Sequence, residues 1–258
     1  MLTDPWFYAA ALPAILITGI SKGGFAGGLG IVAVPLVSLA VPPLQAIGIL
    51  LPILIVMDGV GLWAYRGKWD AGSVAILLPA SLAGVGLGWL LADYLSENLI
   101  RLLVGLIALA FAVDYWLGRR SGASAAAERP ARPQDWRKGG VWGAVAGLTS
   151  FVAHAGAPPA QVYMLPRRLD KTIYVGTMVV VFASINAAKV VPYGFLGLLD
   201  RTNLATAAVL LPLAPLGMYL GIWLHSRVNQ ALFYRLCYTL VVIAGLHLIA
   251  TGLGFHLV

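Results

Sequence analysis

From Leu44 to Tyr65 the chain runs through about twenty residues carrying one charge, Asp58, and apolar stretches of this length return along almost all of its 258 residues. A run of about twenty apolar residues is what an α-helix needs to cross the hydrocarbon core of a bilayer. With 60% hydrophobic and 10% charged residues, the chain has more apolar side chain than a water-surrounded core of its size could bury. It reads as an integral membrane protein whose bulk partner is the lipid bilayer. The alternating short segments of a membrane β-barrel do not occur, so the expected fold is all-α and polytopic. The N-terminal "MLTDPWFY" has no basic leader and the first apolar stretch no small-residue cleavage site, so no removable signal peptide is expected. One cysteine, Cys237, excludes an internal disulfide, and the chain shows no metal-ligand cluster and no ATP-binding signature. No metal, cofactor or nucleic-acid partner is expected, and nothing indicates an oligomer.

The segment "GRRSGASAAAERPARPQDWRKGG", residues 118–140, is polar, basic and rich in Ala, Pro and Gly. It reads as a linker between a first membrane repeat, 1–117, and a second, 141–258. At an offset of 128 residues Gly19 falls on Gly147, Gly28 on Gly156, Gly48 on Gly176, Asp58 on Asn186 and Tyr65 on Tyr193. Each half divides into about five helical elements: 5–21, 25–41, 44–65, 71–92 and 99–117, then 141–154, 158–166, 172–191, 203–224 and 230–253. The first two of each half are short or broken, giving 8–10 membrane segments. With the linker in the cytoplasm, thirteen of the seventeen basic residues fall inside, Arg101 and Arg201 fall outside, and Lys22 and Lys189 lie within the apolar part. That asymmetry is the positive-inside pattern, and it accounts for the net charge of +7 without an acidic partner. Both termini are then expected outside. An odd number of elements per half makes the repeats inverted, a layout common in secondary transporters; if each broken pair is a single crossing, the repeats are parallel instead.

"GISKGGFAGGLGIVAVP", residues 19–35, places six glycines, a proline and a lysine where a span would lie. The glycines alone are explained by close helix packing. A mid-membrane Lys22 costs about 2.5–3.5 kcal/mol on insertion scales unless it snorkels to the surface or faces a cavity. The functional reading breaks the span at residues 21–24 and starts a half-helix near Phe25. Its N–H groups and positive dipole end would then hold an anion, with Ser21 as hydroxyl donor and Gly23, Gly24, Gly27 and Gly28 permitting close approach. In the second half "LTSFVAHAGAPPAQVYMLP" occupies the matching place: Pro158 and Pro159 begin a second half-helix, next to Gly156 and His154. Thr177, Asn186, Lys189 and Tyr193 are further candidate lining residues, the last three sharing a helix face by their spacing. Asp58 and Lys189 form the expected buried ion pair, and Asp58 or His154 would carry a proton if transport is proton-coupled. No catalytic residue set emerges.

With these motifs the chain resembles the TauE/SafE sulfite-exporter family, also called TSUP. "SKGGFAGGLGIVAVPL" followed by "QAIGILLPILIVMD" is similar to its first-half signature, and "TSFVAHAGAPPAQVYMLP" with "VGTMVVVFASINAAKVVPYGFLGL" to its second. The resemblance implies a permease of the bacterial inner membrane for sulfite, sulfonates such as sulfoacetate, or carboxylates. It maps the family's glycine-rich and histidine-containing motifs onto Ser21 to Gly28 and His154 to Gly156. Many members have a third consecutive glycine where this chain has Ala157. The expected function is a secondary transporter of small anions working by alternating access. A membrane-embedded enzyme and a non-transporting scaffold are the alternatives.

Overall fold

The computed structural model describes residues 4–92, apart from 29 and 39, and residues 131–254, with isolated positions between them. Among the described residues the regular structure is helical: α1 Pro5–Phe25, α2 Ala33–Val37, α3 Pro43–Ala64, α4 Ala71–Leu90, α5 Trp136–Ala153, α6 Ala157–Met164, α7 Lys171–Phe195, α8 Arg201–Leu210, α9 Leu213–Arg227 and α10 Gln230–Gly252. Short 3-10 turns at Gly30–Val32 and Leu165–Arg167 flank α2 and α6. Most starts carry a side-chain cap that satisfies a first-turn N–H: Asp4, Asp70, Asp135, Asp170, Asp200 and Asn229.

Four of these helices, α1, α3, α4 and α7, are long and apolar enough to cross a membrane, and α8 with α9 makes a fifth if that bent pair is one span. Among the described residues this accounts for four or five of the 8–10 segments expected. The expected element 99–117 and most of the linker lie outside the described residues. Three boundaries differ from expectation. First, α5 begins at Trp136, inside the segment assigned to the linker, because Asp135 accepts from the N–H groups of Arg137 and Lys138. Second, the single element expected over 203–224 is bent by 45° between Leu210 and Leu213, where Pro212 and Pro215 both withhold an N–H from the helix ladder; α4, with Pro79 alone, stays continuous. Third, α1 is a full-length helix rather than a short one.

The two halves hold each other through their first and fourth elements. Gly19, Gly23 and Gly24 on α1 meet Gly217, Met218 and Gly221 on α9, while Gly143 and Gly147 on α5 meet Leu77, Ala80 and Ser81 on α4. A Cβ at Gly147 would collide with the Ser81 carbonyl, and one at Gly24 with the Gly221 carbonyl. These backbones therefore approach as only small residues allow. The 128-residue offset recurs in bonds as well: Tyr65 Oη donates to Gly23 O at 2.6 Å, and Tyr193 Oη to Phe151 O at 2.6 Å.

The loops sort to two ends. At one end Arg167 reaches Asp70 at 3.3 Å, Arg132 N–H donates to Pro166 O at 3.1 Å, and Lys171 donates to the His225 carbonyl at 2.7 Å. At the other, Gln45 Nε2 donates to Asn203 Oδ1 at 3.1 Å. Arg66, Lys68, Arg132, Arg167 and Lys171 belong to the first end and Arg201 to the second.

Asp70 ties that basic end together. Its carboxylate caps α4 through Ser73 N–H at 2.9 Å and also meets Arg167 and Gln134. Partial burial pushes its carboxyl up, but the Ser73 bonds, Arg167 and Gln134 outweigh this and hold it below the usual carboxylate value. A depressed carboxylate contributes stability above the unfolded value, about pH 4, and loses it as pH falls through the folded value. Asp70→Asn should therefore melt below wild type at neutral pH, with the gap closing below about pH 4. A gap that does not change with pH would show that the charge is not what matters.

Candidate functional site

The site forms where α1 and α5 stop. Each ends in a left-handed residue without the help of glycine, Ala26 at φ 55° and His154 at φ 51°, which are 128 residues apart. Each end is closed by the same wrap-around bond, from Gly27 N–H to Ser21 O at 3.0 Å and from Ala155 N–H to Thr149 O at 3.1 Å. The break in the first half thus begins at Ala26, not at 21–24. The second helix begins at the 3-10 turn Gly30–Val32 rather than near Phe25. Gly23 and Gly24 sit within α1, where their N–H groups serve the helix ladder, and their small size serves contact with α9. The N–H groups of Gly27 and Gly28 are bonded to Ser21 O and Phe25 O. In the second half Pro158 and Pro159 remove two donors from the first turn of α6, and Ala160 N–H bonds to Gly156 O. The N–H groups of Gly27, Gly28 and Ala160 are thus already spent, and polar side chains nearby hold further donors.

Those side chains converge from both halves. Lys22, in the last turn of α1, is 8% exposed and places Nζ 2.5 Å from Asp58 Oδ1. Asn186 Nδ2 donates to Asp58 Oδ2 at 2.6 Å. Asp58 is therefore paired with Lys22, not with Lys189 as the sequence suggested, and it faces its own repeat counterpart. Lys189 is fully buried, and its ammonium donates to Ser150 O at 3.1 Å, Ser150 Oγ at 3.1 Å and His154 Nδ1 at 2.7 Å. Three donors meet three neutral acceptors. His154 Nε2 lies 3.1 Å from Ile47 O; a carbonyl only accepts, so Nε2 carries the proton and Nδ1 presents its lone pair to Lys189. The His154 and Lys189 groups also lie beside the Tyr193 ring.

Between these groups lies a cavity of about 50 Å³ lined by Thr18, Lys22, Gly27, Ser150, His154 and Asn186, with apolar walls from Leu50, Leu54 and Phe182. At roughly 10–15 Å³ per water, it has room for about three to five waters. Of the expected residues, Lys22, Gly27, His154 and Asn186 line it directly. Lys189 and Asp58 stand behind the wall, each touching lining residues. Thr177 does not line it: its hydroxyl accepts from Asp70 N–H at 2.8 Å and donates to Ile173 O at 2.7 Å, at the basic end. Tyr193 spends its hydroxyl on Phe151 O. Two polar lining residues escaped the sequence reading. Ser150 is the 128-residue counterpart of Lys22, so the repeat itself was its signal; Thr18, bonded to Ala14 O at 2.7 Å, had none beyond lying one turn before Lys22.

In charge terms, Lys22 and Asp58 neutralise each other. Among the described residues no carboxylate comes within salt-bridge distance of Lys189. Lys189 thus lies buried among neutral acceptors, one side chain from the small cavity. Among curated proteins and among solved structures nothing matches this chain. The family model described as sulfite exporter TauE/SafE matches residues 11–248, which span both helix breaks and every residue of the cavity wall. The chain belongs to the TauE/SafE sulfite exporter family of membrane transport proteins.

Proposed function

We propose that the protein is a secondary transporter that carries a small oxyanion, such as sulfite or a short sulfonate or carboxylate, through the central cavity by alternating access. The observation that carries this reading is Lys189, fully buried and hydrogen-bonded to Ser150 and His154 with no carboxylate within salt-bridge distance among the described residues, behind a cavity whose wall holds a second lysine. Lys22, Ser150, His154 and Asn186 are the groups that would touch the anion. The cavity as it stands suits an anion of sulfite or acetate size; sulfoacetate, with twice the heavy atoms of sulfite, needs it to widen.

Two inverted repeats fit the geometry. The paired helix ends at Ala26 and His154, the paired tyrosine bonds, and the meeting of Asp58 with Asn186 all follow one offset, and they support a two-fold relation through the cavity. The basic end is assigned to the cytoplasm by the positive-inside rule, which puts both termini on the periplasmic side of the bacterial inner membrane. His154 and Asp58 are the proton-coupling candidates, each held by two partners: His154 by Lys189 and Ile47 O, Asp58 by Lys22 and Asn186.

The test is flux in proteoliposomes under a set pH gradient, comparing sulfite, sulfoacetate, acetate and chloride. Saturable flux of sulfite at least about tenfold above chloride is the expected result. Chemical turnover of the anion with no flux would replace the reading with a membrane enzyme. A folded protein with neither flux nor turnover would leave a scaffold.

A further inference from the structure

Three tryptophans at the basic end each carry an arginine over the indole. Arg227 Cζ lies 4.8 Å from the ring centroid of Trp223, Arg66 Cζ 5.2 Å from that of Trp63, and Arg137 Cζ 5.3 Å from that of Trp136. The pairs stand at the end of α9, the end of α3 and the start of α5. The indoles are 55%, 62% and 70% exposed, and the three arginines are exposed beside them. Partners are four, three and one residue apart, so no single local motif produces the stacking. The depth of the pairs can be judged from α4, whose 20 residues rise about 30 Å, the thickness of a hydrocarbon core. Trp69 and Trp89, both exposed, mark its two ends, and the three pairs lie at the end of Trp69. Exposed aromatics at these two levels are what a bilayer's interfaces select. At the opposite end, among the described residues, Trp6 has no cation over it, and Trp89 stacks on Phe195 at 5.8 Å.

The stacked charges are uncompensated. Arg167 and Lys138 at the same end meet Asp70 and Asp135. Among the described residues no carboxylate lies within salt-bridge distance of Arg66, Arg137 or Arg227. Arg66 spends one N–H on Trp63 O at 3.0 Å. Stacking holds a guanidinium by its flat face and leaves the N–H edge available for a forked bond to phosphate. We propose that the three Arg–Trp pairs are docking sites for anionic phospholipid. The guanidinium takes the phosphodiester oxygens, and the indole lies against the glycerol and the first methylenes of the acyl chains. The position names the partner: an anion offered at the rim of the bilayer, with an apolar tail running into the hydrocarbon, is a lipid. Phosphatidylcholine has the same phosphate but brings a cation, which an uncompensated guanidinium disfavours. None of the six residues lines the central cavity, so the proposal is independent of the transport reading.

The experiment is native mass spectrometry of the purified full-length protein, released from neutral detergent holding equal phosphatidylglycerol and phosphatidylcholine. Wild type should retain three phosphatidylglycerols, each favoured roughly fivefold over phosphatidylcholine. Arg66→Gln, Arg137→Gln and Arg227→Gln should each remove one, and Arg201→Gln, at the other end, none. Arg66→Lys/Arg137→Lys/Arg227→Lys keeps the net charge without the planar fork, and should lose most of the preference. A melting temperature equal to wild type checks that each exposed-site variant is folded. No preference for phosphatidylglycerol overturns the proposal. So does a triple lysine variant that equals wild type, since net charge alone would then attract the lipid. A preference erased by excess inorganic phosphate at constant ionic strength would make the pairs sites for soluble anions and remove the lipid. Anion flux failing while the lipid count persists would count against the transport reading alone.

Discussion

Lys22→Ala should abolish saturable anion flux, and Lys22→Ala/Asp58→Asn should restore the fold without restoring the flux. The single substitution does two things at once. It removes the one cation on the cavity wall, and it leaves Asp58, 3% exposed, as a buried carboxylate whose remaining described partner is Asn186. Breaking a buried pair from one side costs about 3–5 kcal/mol, so loss of flux in the single variant could reflect loss of fold. The double variant separates these effects. It removes both charges and puts at position 58 the residue type found at the repeat-related position 186, where Asn and Asn can still hydrogen-bond. A unit charge about 4 Å from a bound anion, at an effective dielectric of about 20, is worth about 4 kcal/mol. In the double variant the departing Asp58 charge offsets about half of this, so the loss there is that of the remaining field and of the Lys22 donor itself. Thermal melting close to wild type, with flux at background, is the expected pair of results. Flux within about twofold of wild type in the double variant would remove Lys22 from the site.

Much of the candidate cluster was legible before any coordinate, because a charged or polar group inside an apolar span is rare and costly and so marks itself. Lys22, Asp58, Asn186, Lys189 and His154 stood out on that ground, and the structure brings all five into one cluster. The 128-residue offset was legible too, and it reappears as matched helix ends and matched tyrosine bonds. How the charges pair was not legible. Lys22 and Lys189 were both available to Asp58, and the choice depends on which side chain the α1 ending aims at α3. Spacing along a single helix carries no such information.

The glycines show the same limit from another direction. "SKGG" looks like a broken helix because glycine weakens one, yet α1 runs through it to Phe25. Gly23 and Gly24 are needed because the backbone of α9 lies against them, about 200 residues further along the chain. The break comes later, at Ala26, an alanine in a left-handed conformation that nothing local announces. A similar misreading affected Thr177. It follows Gly176 on an apolar span, but its hydroxyl holds the loop before α4 by accepting from Asp70 N–H, a contact set by how α7 meets that loop.

Lys189→Met should raise the half-saturating anion concentration about thirtyfold while leaving the protein folded. Lys189 does not line the cavity, so its effect on an anion is through its field. At roughly 7 Å and an effective dielectric of about 20, that field is worth about 2 kcal/mol. Methionine keeps most of the buried volume and fills irregular space well, and it removes a charge whose burial is itself costly. The cost falls on Ser150 Oγ and His154 Nδ1, which lose their shared donor at about 1–3 kcal/mol for a group left unpaired. Lys189→Arg should not rescue transport, since a guanidinium is larger than the ammonium it replaces and its planar fork does not match three acceptors gathered around one nitrogen. If Lys189 only braced the helices, the methionine variant would lower the melting temperature and leave half-saturation unchanged. A shift in half-saturation with melting intact would instead make the buried ammonium the source of the cavity's preference for anions. Lys22, whose charge Asp58 balances, would then be the group that meets the anion directly.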